Sequence, residues 1–282
     1  MKYFTNKDGG TESDVELKEK YNPEGSDLRN LQNEILKMLL WFSDVCEKNN
    51  LEWFLSGGNI LGAVRHQGFI PWDDDMDIYM TEKDCKKIQK ILMSKEYKDA
   101  DYVIQNHKTD KGFYGFWPVI RHKKSEYIKD DRVHNVRKYR GFQIDIFPLA
   151  ERRSKFLAKQ IRKVEKYNSK HFIGKKGFGF IASFLYHFEN DILIPFFKLF
   201  SFIFCWRNKG KLCNAYPTIW YREEYDKNMM YPLKKLMFEG YELPVPNDVD
   251  AYLKYIYGDD YMTLPSPSER NNHSVVQYKL YN

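Results

Sequence analysis

The chain has 282 residues, 43% of them hydrophobic, enough for one large domain or for a core with a smaller lobe. Its 45 Lys and Arg against 39 Asp and Glu leave a formal charge of +6, which suits a phosphate-bearing partner or an anionic membrane but is equally ordinary for a globular protein. Cys46, Cys85, Cys205 and Cys213 form no C-x-x-C pair, against a zinc finger, and the polar start MKYFTNKDGGTESD has no signal-peptide core, so reduced thiols and a cytoplasmic location are expected.

Residues 1–27 are polar and read as a loose arm or a strap over the surface. Ser26 or Asp27 then opens a helix, because Leu28, Leu31, Ile35, Met38, Phe42 and Val45 recur at three- and four-residue steps up to Asn49-Asn50. LEWFLS (51–56) is a short strand, Ser56-Gly57-Gly58 a turn, and NILGAVRHQ (59–67) a helix started there. DMDIYM (75–80) alternates as a strand, with Asp75, Asp77 and Tyr79 on one face and Met76, Ile78 and Met80 on the other. Thr81 with Asp84 caps the next helix, CKKIQKILM. Strands are expected at 102–106, 113–120, 125–129 and 141–147, the last placing Asp145 in an otherwise apolar run. A basic helix is expected from Leu149 to about Lys170.

The run from Phe178 to Trp206 is dense in Phe, Leu and Ile, yet its cleaner part falls short of the ~20 residues of a spanning helix. Two readings stand: a buried helical hairpin, or an interfacial helix followed by Arg207, Lys209 and Lys211. A strand at 236–246 and an Asn247-capped helix complete the chain.

Asp73, Asp74, Asp75 and Asp77 concentrate negative charge beside the Gly-Gly turn, and like charges that close repel. An EF-hand fits poorly, because Ile78 stands where the turn glycine belongs and Asp84 where the bidentate Glu belongs. A D-D-x-x-D prenyl-diphosphate motif belongs on a helix, whereas this run alternates as a strand. A solvated acidic loop is weakened by the apolar back of the same strand. A divalent-metal site for phosphoryl chemistry remains: two carboxylates on one strand face hold a cation, and a glycine turn opening a helix offers N–H groups to a phosphate. Strand, Ser-Gly-Gly, helix, then Asp-x-Asp on the next strand is the plan of the nucleotidyltransferases, with Asp145 the best candidate for a third carboxylate.

FLSGGNILGAVRHQGFIPWDDDMDIYM (54–80), GFQIDIFPL (141–149) and FEGYELPVPNDVDAYLKYIYGDDYMTLPSPSERNNHS (238–274) together resemble the LicD family, whose animal relatives include fukutin and fukutin-related protein. The resemblance covers about 28–150 and 236–274, leaving the basic, aromatic middle unmatched. It implies an α+β fold: a nucleotidyltransferase-like core of mixed sheet flanked by helices, in 28–150. A polar arm (1–27), a helical aromatic-rich insert (151–235) and a C-terminal part of the family domain (236–282) complete the organisation.

The resemblance further implies a CDP-alcohol donor, with CDP-choline the best-known case, and a glycan or lipid-linked glycan acceptor. On that pattern Asp75 and Asp77 ligate Mg²⁺ or Mn²⁺ beside Asp73, with Asp145 as third ligand or general base, and Gly57 and Gly58 approach a donor phosphate after Ser56. Arg65, His66 and Arg121 are candidate phosphate contacts, with a surface salt bridge the alternative for Arg65 and an ordinary strand-end basic residue the alternative for Arg121; Arg270 and His273 are candidates for closing the cleft. Trp72, Tyr79, Tyr114 and Trp117 lie near motif residues, where a choline cage would need aromatic faces. Peripheral contact with a membrane is an open expectation, and no nucleic-acid partner is expected. Two other classes stay open: a nucleotidyltransferase gripping a small molecule or nucleic acid with helix 152–170, and a non-catalytic glycan-binding relative, against which the intact aspartates argue.

Overall fold

The computed structural model describes residues 2–128, 131–151, 153–205, 210–216, 223–270 and 277–281. In chain order the elements are β1 (Tyr3–Thr5), β2 (Thr11–Ser13), α1 (Asp14–Tyr21), α2 (Asp27–Lys48), β3 (Trp53–Leu55), α3 (Gly57–His66), β4 (Asp77–Thr81), α4 (Glu82–Leu92), β5 (Tyr102–Gln105), β6 (Val119–His122) and β7 (Ser125–Ile128). They continue as α5 (Arg132–Asn135), β8 (Gln143–Glu151), α6 (Lys155–His171), α7 (Gly179–His187), α8 (Ile194–Phe204), β9 (Lys211–Asn214), β10 (Tyr225–Asp226), α9 (Lys227–Met230), β11 (Lys234–Phe238), β12 (Tyr241–Val245), α10 (Val249–Tyr257) and β13 (Gln277–Leu280). The main sheet has seven strands in the order β10-β9-β8-β4-β3, with β6 also beside β8 and β5 beside β6. Sheet and flanking helices make an α+β fold.

The chain divides into two compact units, each drawing on several stretches: Met1–Tyr79, Phe142–Ile144 and Asn228–Val276 in the first, Met80–Gly141, Asp145–Lys227 and Gln277–Asn282 in the second. In the first unit, α2 buries Leu31, Ile35, Met38, Leu39, Phe42 and Val45, the apolar stripe that the three- and four-residue spacing presents. Ser26 caps it by accepting from the Arg29 N–H at 3.2 Å.

The N-terminal segment is an ordered strap rather than a loose arm. β1 and β2 form a hairpin, and Ser13 with Glu16 makes a capping box at the start of α1. Glu12 pairs with the buried guanidinium of Arg270 at 2.6 Å, and Lys2 Nζ donates to the Val64 and Arg65 carbonyls. Such contacts give a polar segment the partners that hydropathy alone does not reveal.

The expected strand at 236–246 is two strands. Glu239 and Gly240 have φ of 49° and 84°, the conformation of a tight hairpin turn, so Phe238 pairs with Tyr241. Asp248, not Asn247, caps α10, accepting from the Ala251 N–H.

In the second unit, Thr81 caps α4 as its spacing with Asp84 predicts. The strand expected over 113–120 shrinks to Val119–His122. Upstream, the Phe113 ring lies 2.6 Å from where a Gly115 Cβ would stand, a tight turn, and Pro118 has no N–H for a ladder. β8 runs through Glu151 because it gains an antiparallel partner, Leu149 opposite Asn214 and Glu151 opposite Leu212. That moves the start of the basic helix from Leu149 to Lys155.

The aromatic run is not a hairpin. α7, a π-turn over Phe188–Leu193 and α8 follow without a break in helical dihedrals. One side packs Ile194 and Phe197 against Phe116, Ala158 and Ile161; the other is open. No helix among the described residues is long and apolar enough to cross a membrane. Residue 129, the end of an expected strand, and Trp206, Arg207, Lys209 and His273 lie outside the described residues.

Candidate functional site

The acidic cluster and the glycine turn meet in the first unit. β3 delivers Ser56 to the start of α3, where its N–H donates to the Asp77 carbonyl at 3.1 Å. Ser56 makes no side-chain cap, and Gly57 adopts φ +48°, a left-handed backbone that L side chains resist. The Gly57 N–H donates to the Tyr252 hydroxyl at 3.0 Å. Asn59 ties the acidic strand to the helix: its Oδ1 accepts from the Asp77 N–H at 2.7 Å, and its Nδ2 donates to the Asp75 carbonyl at 3.3 Å. A Cβ on Gly58 would stand 3.2 Å from Asp73 Oδ2, so the missing side chain is what lets the carboxylates approach this helix end.

Burial pushes the Asp73 carboxyl well above the ordinary carboxylate range, the charges of Asp75 and Asp74 push it further, and it shares a hydrogen bond with Asp75. The cluster therefore repels itself, and a divalent cation would relieve that repulsion. An all-carboxylate donor set of this kind suits Mg²⁺ or Mn²⁺, which keep coordination positions for substrate phosphates. Among the described residues no three or more His, Cys, Asp or Glu side chains stand together where they could hold a metal ion.

Arg65 is the buried cation within reach of Asp73's field. Its Nη1 makes only long contacts, 3.4 and 3.5 Å, to the Tyr261 and Thr263 carbonyls, and its Nε has no hydrogen-bond partner among the described residues. Desolvation lowers its pKa to about 10. A buried guanidinium with unused donors is a ready anion contact.

Other expected residues are committed elsewhere. His66 is buried, with Nδ1 at 2.5 Å from Asp14 Oδ1 and its ring against Phe4 and Trp72. Burial lowers its pKa, with the Asp14 hydrogen bond working against that. It fastens the strap rather than facing a phosphate. Trp72 packs against Tyr21 and under Arg270, whose guanidinium lies 5.1 Å from the indole. Arg270 itself anchors the strap through Glu12 and Asn6.

In the second unit, Arg121 is fully buried and donates from Nε to Gln105 Oε1 and from Nη1 to the Gly141 carbonyl, both at 2.8 Å. This is an internal brace, not the strand-end phosphate contact expected. Asp145 accepts from Trp117 Nε1 at 2.8 Å. Trp117 also lines a cavity of about 420 Å³ with Lys90, Lys108, Lys111, His107 and Tyr186. The His107 ring stacks on Tyr186 at 4.4 Å, giving the cavity an aromatic wall beside its lysines.

Tyr252, Tyr257 and Asn59 are site residues that sequence reasoning missed. Burial drives the Tyr257 hydroxyl's pKa up, with Tyr252, Asp73 and Asp77 adding to it, so it stays a neutral donor beside the acids. Asn59 directly after the Gly-Gly pair was a readable signal; the tyrosines, some 195 residues from Gly57, were not.

Residues 50–175 match the family model described as LicD/FKTN/FKRP, nucleotidyltransferase domain. That stretch is similar to the LicD family's domain. The chain is 24% identical over 261 residues to the lipopolysaccharide cholinephosphotransferase LicD of Haemophilus influenzae, covering 89% of this chain and 97% of that protein. An uncharacterised protein of Rickettsia typhi is 42% identical over 65 residues, 23% of this chain and 20% of its own. Another, of Rickettsia prowazekii, is 30% identical over 120 residues, 37% of this chain and 45% of its own. The LicD-family match begins just ahead of β3 and takes in α3, the aspartates and Asp145.

Proposed function

We propose that this protein transfers a phospho-alcohol, phosphocholine in the first instance, from a CDP-alcohol to a hydroxyl of a cell-surface glycan or its lipid-linked precursor. The observation that carries the reading is the packing of Asp73, Asp75 and Asp77 against the glycine-opened end of α3. Chain-long similarity to a lipopolysaccharide cholinephosphotransferase supports the choice of group and acceptor.

Mg²⁺ or Mn²⁺, held by Asp75 and Asp77, would neutralise the diphosphate and the charge developing on the leaving group. The chain's own residues do the rest. The N–H groups opening α3 and the spare donors of Arg65 take a donor phosphate. The acceptor oxygen bonds to the β-phosphorus as its bond to the bridging oxygen breaks, and CMP departs with that electron pair. The acceptor proton passes to a carboxylate. Asp145 is the candidate base, its orientation set by the Trp117 indole N–H.

The test is incubation with CDP-choline, CDP-ethanolamine and CDP-glycerol, each with Mg²⁺ and a glycan acceptor, following CMP release. Metal-dependent CMP release from one CDP-alcohol is expected. No release from any of them, with turnover of ATP or GTP instead, would move the protein to the broader nucleotidyltransferases.

A further inference from the structure

The open side of α7, the π-turn and α8 is the largest feature that the reaction does not use. Phe180 is 84% exposed, Phe202 65% and Phe204 64%, and Phe184, Ile192, Phe196 and Leu199 are each more than half exposed. Together these side chains expose on the order of 1,000 Å² of apolar surface, well beyond the few hundred Å² of an ordinary monomer patch. The helical geometry explains its continuity. Apolar residues every four positions drift around a helix of 3.6 residues per turn. The wide π-turn at Phe188–Leu193 takes up part of that drift, so Phe180, Phe184, Ile192, Phe196 and Leu199 stay exposed along one side.

The opposite side is tethered to the second unit and cannot leave it. Phe197 is fully buried, Lys198 Nζ pairs with Glu82 Oε1 at 2.7 Å, and Ser201 Oγ accepts from the Ser154 N–H at 3.0 Å. The helix is thus fixed with its apolar side outward, a geometry for lying on an interface rather than crossing it.

Charge identifies the occupant. Residues 155–176 hold seven lysines and Arg162 against Glu165 alone, a net +7. α6 packs on this helix, with Asn168 Nδ2 donating to the Ala182 carbonyl at 3.0 Å. Lys159, Lys163, Lys166, Lys170, Lys175 and Lys176 are exposed, and none has an ion pair among the described residues. Phe156 and Tyr167 stand exposed among them. Anionic headgroups would neutralise this charge, which a second copy of the same basic segment would not.

We propose that α7–α8 lies in the headgroup layer of an anionic membrane, its open Phe/Leu side inserted and the lysines of 155–176 supplying the electrostatic attraction. This is independent of the reaction proposed above. Each lysine near an anionic surface adds about fivefold to affinity.

The full chain is sedimented with vesicles of phosphatidylglycerol mixed with phosphatidylcholine, with pure phosphatidylcholine as control, at low and high salt. Binding is expected to the anionic vesicles only, falling at least tenfold at high salt. Phe184→Glu with Phe196→Glu, and separately Lys159→Glu with Lys166→Glu, are each expected to reduce it at least tenfold. Phe184→Ser with Phe196→Ser is a milder pair should the glutamates disturb folding, and thermal melts check all variants. Wild type left in the supernatant at low salt overturns the proposal. So does equal binding to both vesicle types, or a dimer in light scattering that the Phe variants dissolve without any vesicle binding.

Discussion

Glu189 lies in the π-turn under the exposed helix, 1% exposed, with Oε1 lacking a hydrogen-bond partner among the described residues. Burial, and then the charge of Glu165, push its carboxyl up from 4.5 to about 8. Glu165 is itself raised by burial, offset by Arg162, which it meets at 2.6 Å. An acid whose folded pKa exceeds its unfolded one holds its proton more tightly when folded. The stability it contributes is complete below 4.5 and is lost as pH climbs toward 8. At about 1.4 kcal/mol per pH unit, wild type should lose roughly 3–4 kcal/mol between about pH 5 and pH 8 through this group. Glu189→Gln keeps shape and removes the titration. Urea unfolding followed by tryptophan fluorescence across that range is expected to show the variant gaining on wild type steadily as pH rises. Parallel stability profiles for the two proteins would refute the buried-acid account.

Asp75→Asn or Asp77→Asn is expected to abolish CMP release while leaving the fold intact and the metal-free protein as stable or more so, read by calorimetric Mn²⁺ titration beside thermal melts. Gly58→Ala adds a Cβ 3.2 Å from Asp73 Oδ2, so activity should fall at least tenfold while stability stays within about 1 kcal/mol, the helix gain offsetting the crowding. Arg121→Lys should cost about 2–4 kcal/mol in urea unfolding without raising the donor KM of the folded fraction, because one ammonium cannot span Gln105 and Gly141.

Local features are legible in the sequence alone. The α2 stripe, the Thr81 cap and the two-residue alternation through Met76, Ile78 and Met80, all buried, are written within a few neighbouring positions. The Ser-Gly-Gly start of α3 was equally readable, because a left-handed Gly57 leaves few alternatives. A single turn pair, Glu239-Gly240, escaped only because its apolar flanks read as one strand.

What tertiary structure alone decided are the partners of charged groups and the covering of apolar faces. Arg65, His66 and Arg121 looked alike as basic residues near motif positions. Packing left Arg65 with spare donors near Asp73, gave His66 to Asp14 across 52 positions, and enclosed Arg121 between Gln105 and Gly141. The 178–206 run likewise had a helical period in its sequence, but periodicity reports only that one side differs from another. Whether that side meets protein or solvent depends on what the rest of the chain brings against it. Here Phe116, Ala158 and Ile161 cover Phe197 and leave Phe196 bare. The physical reason is common to both cases: local sequence sets backbone conformation and side-chain direction, while burial and ion pairing are sums over neighbours that the chain supplies from tens to hundreds of positions away.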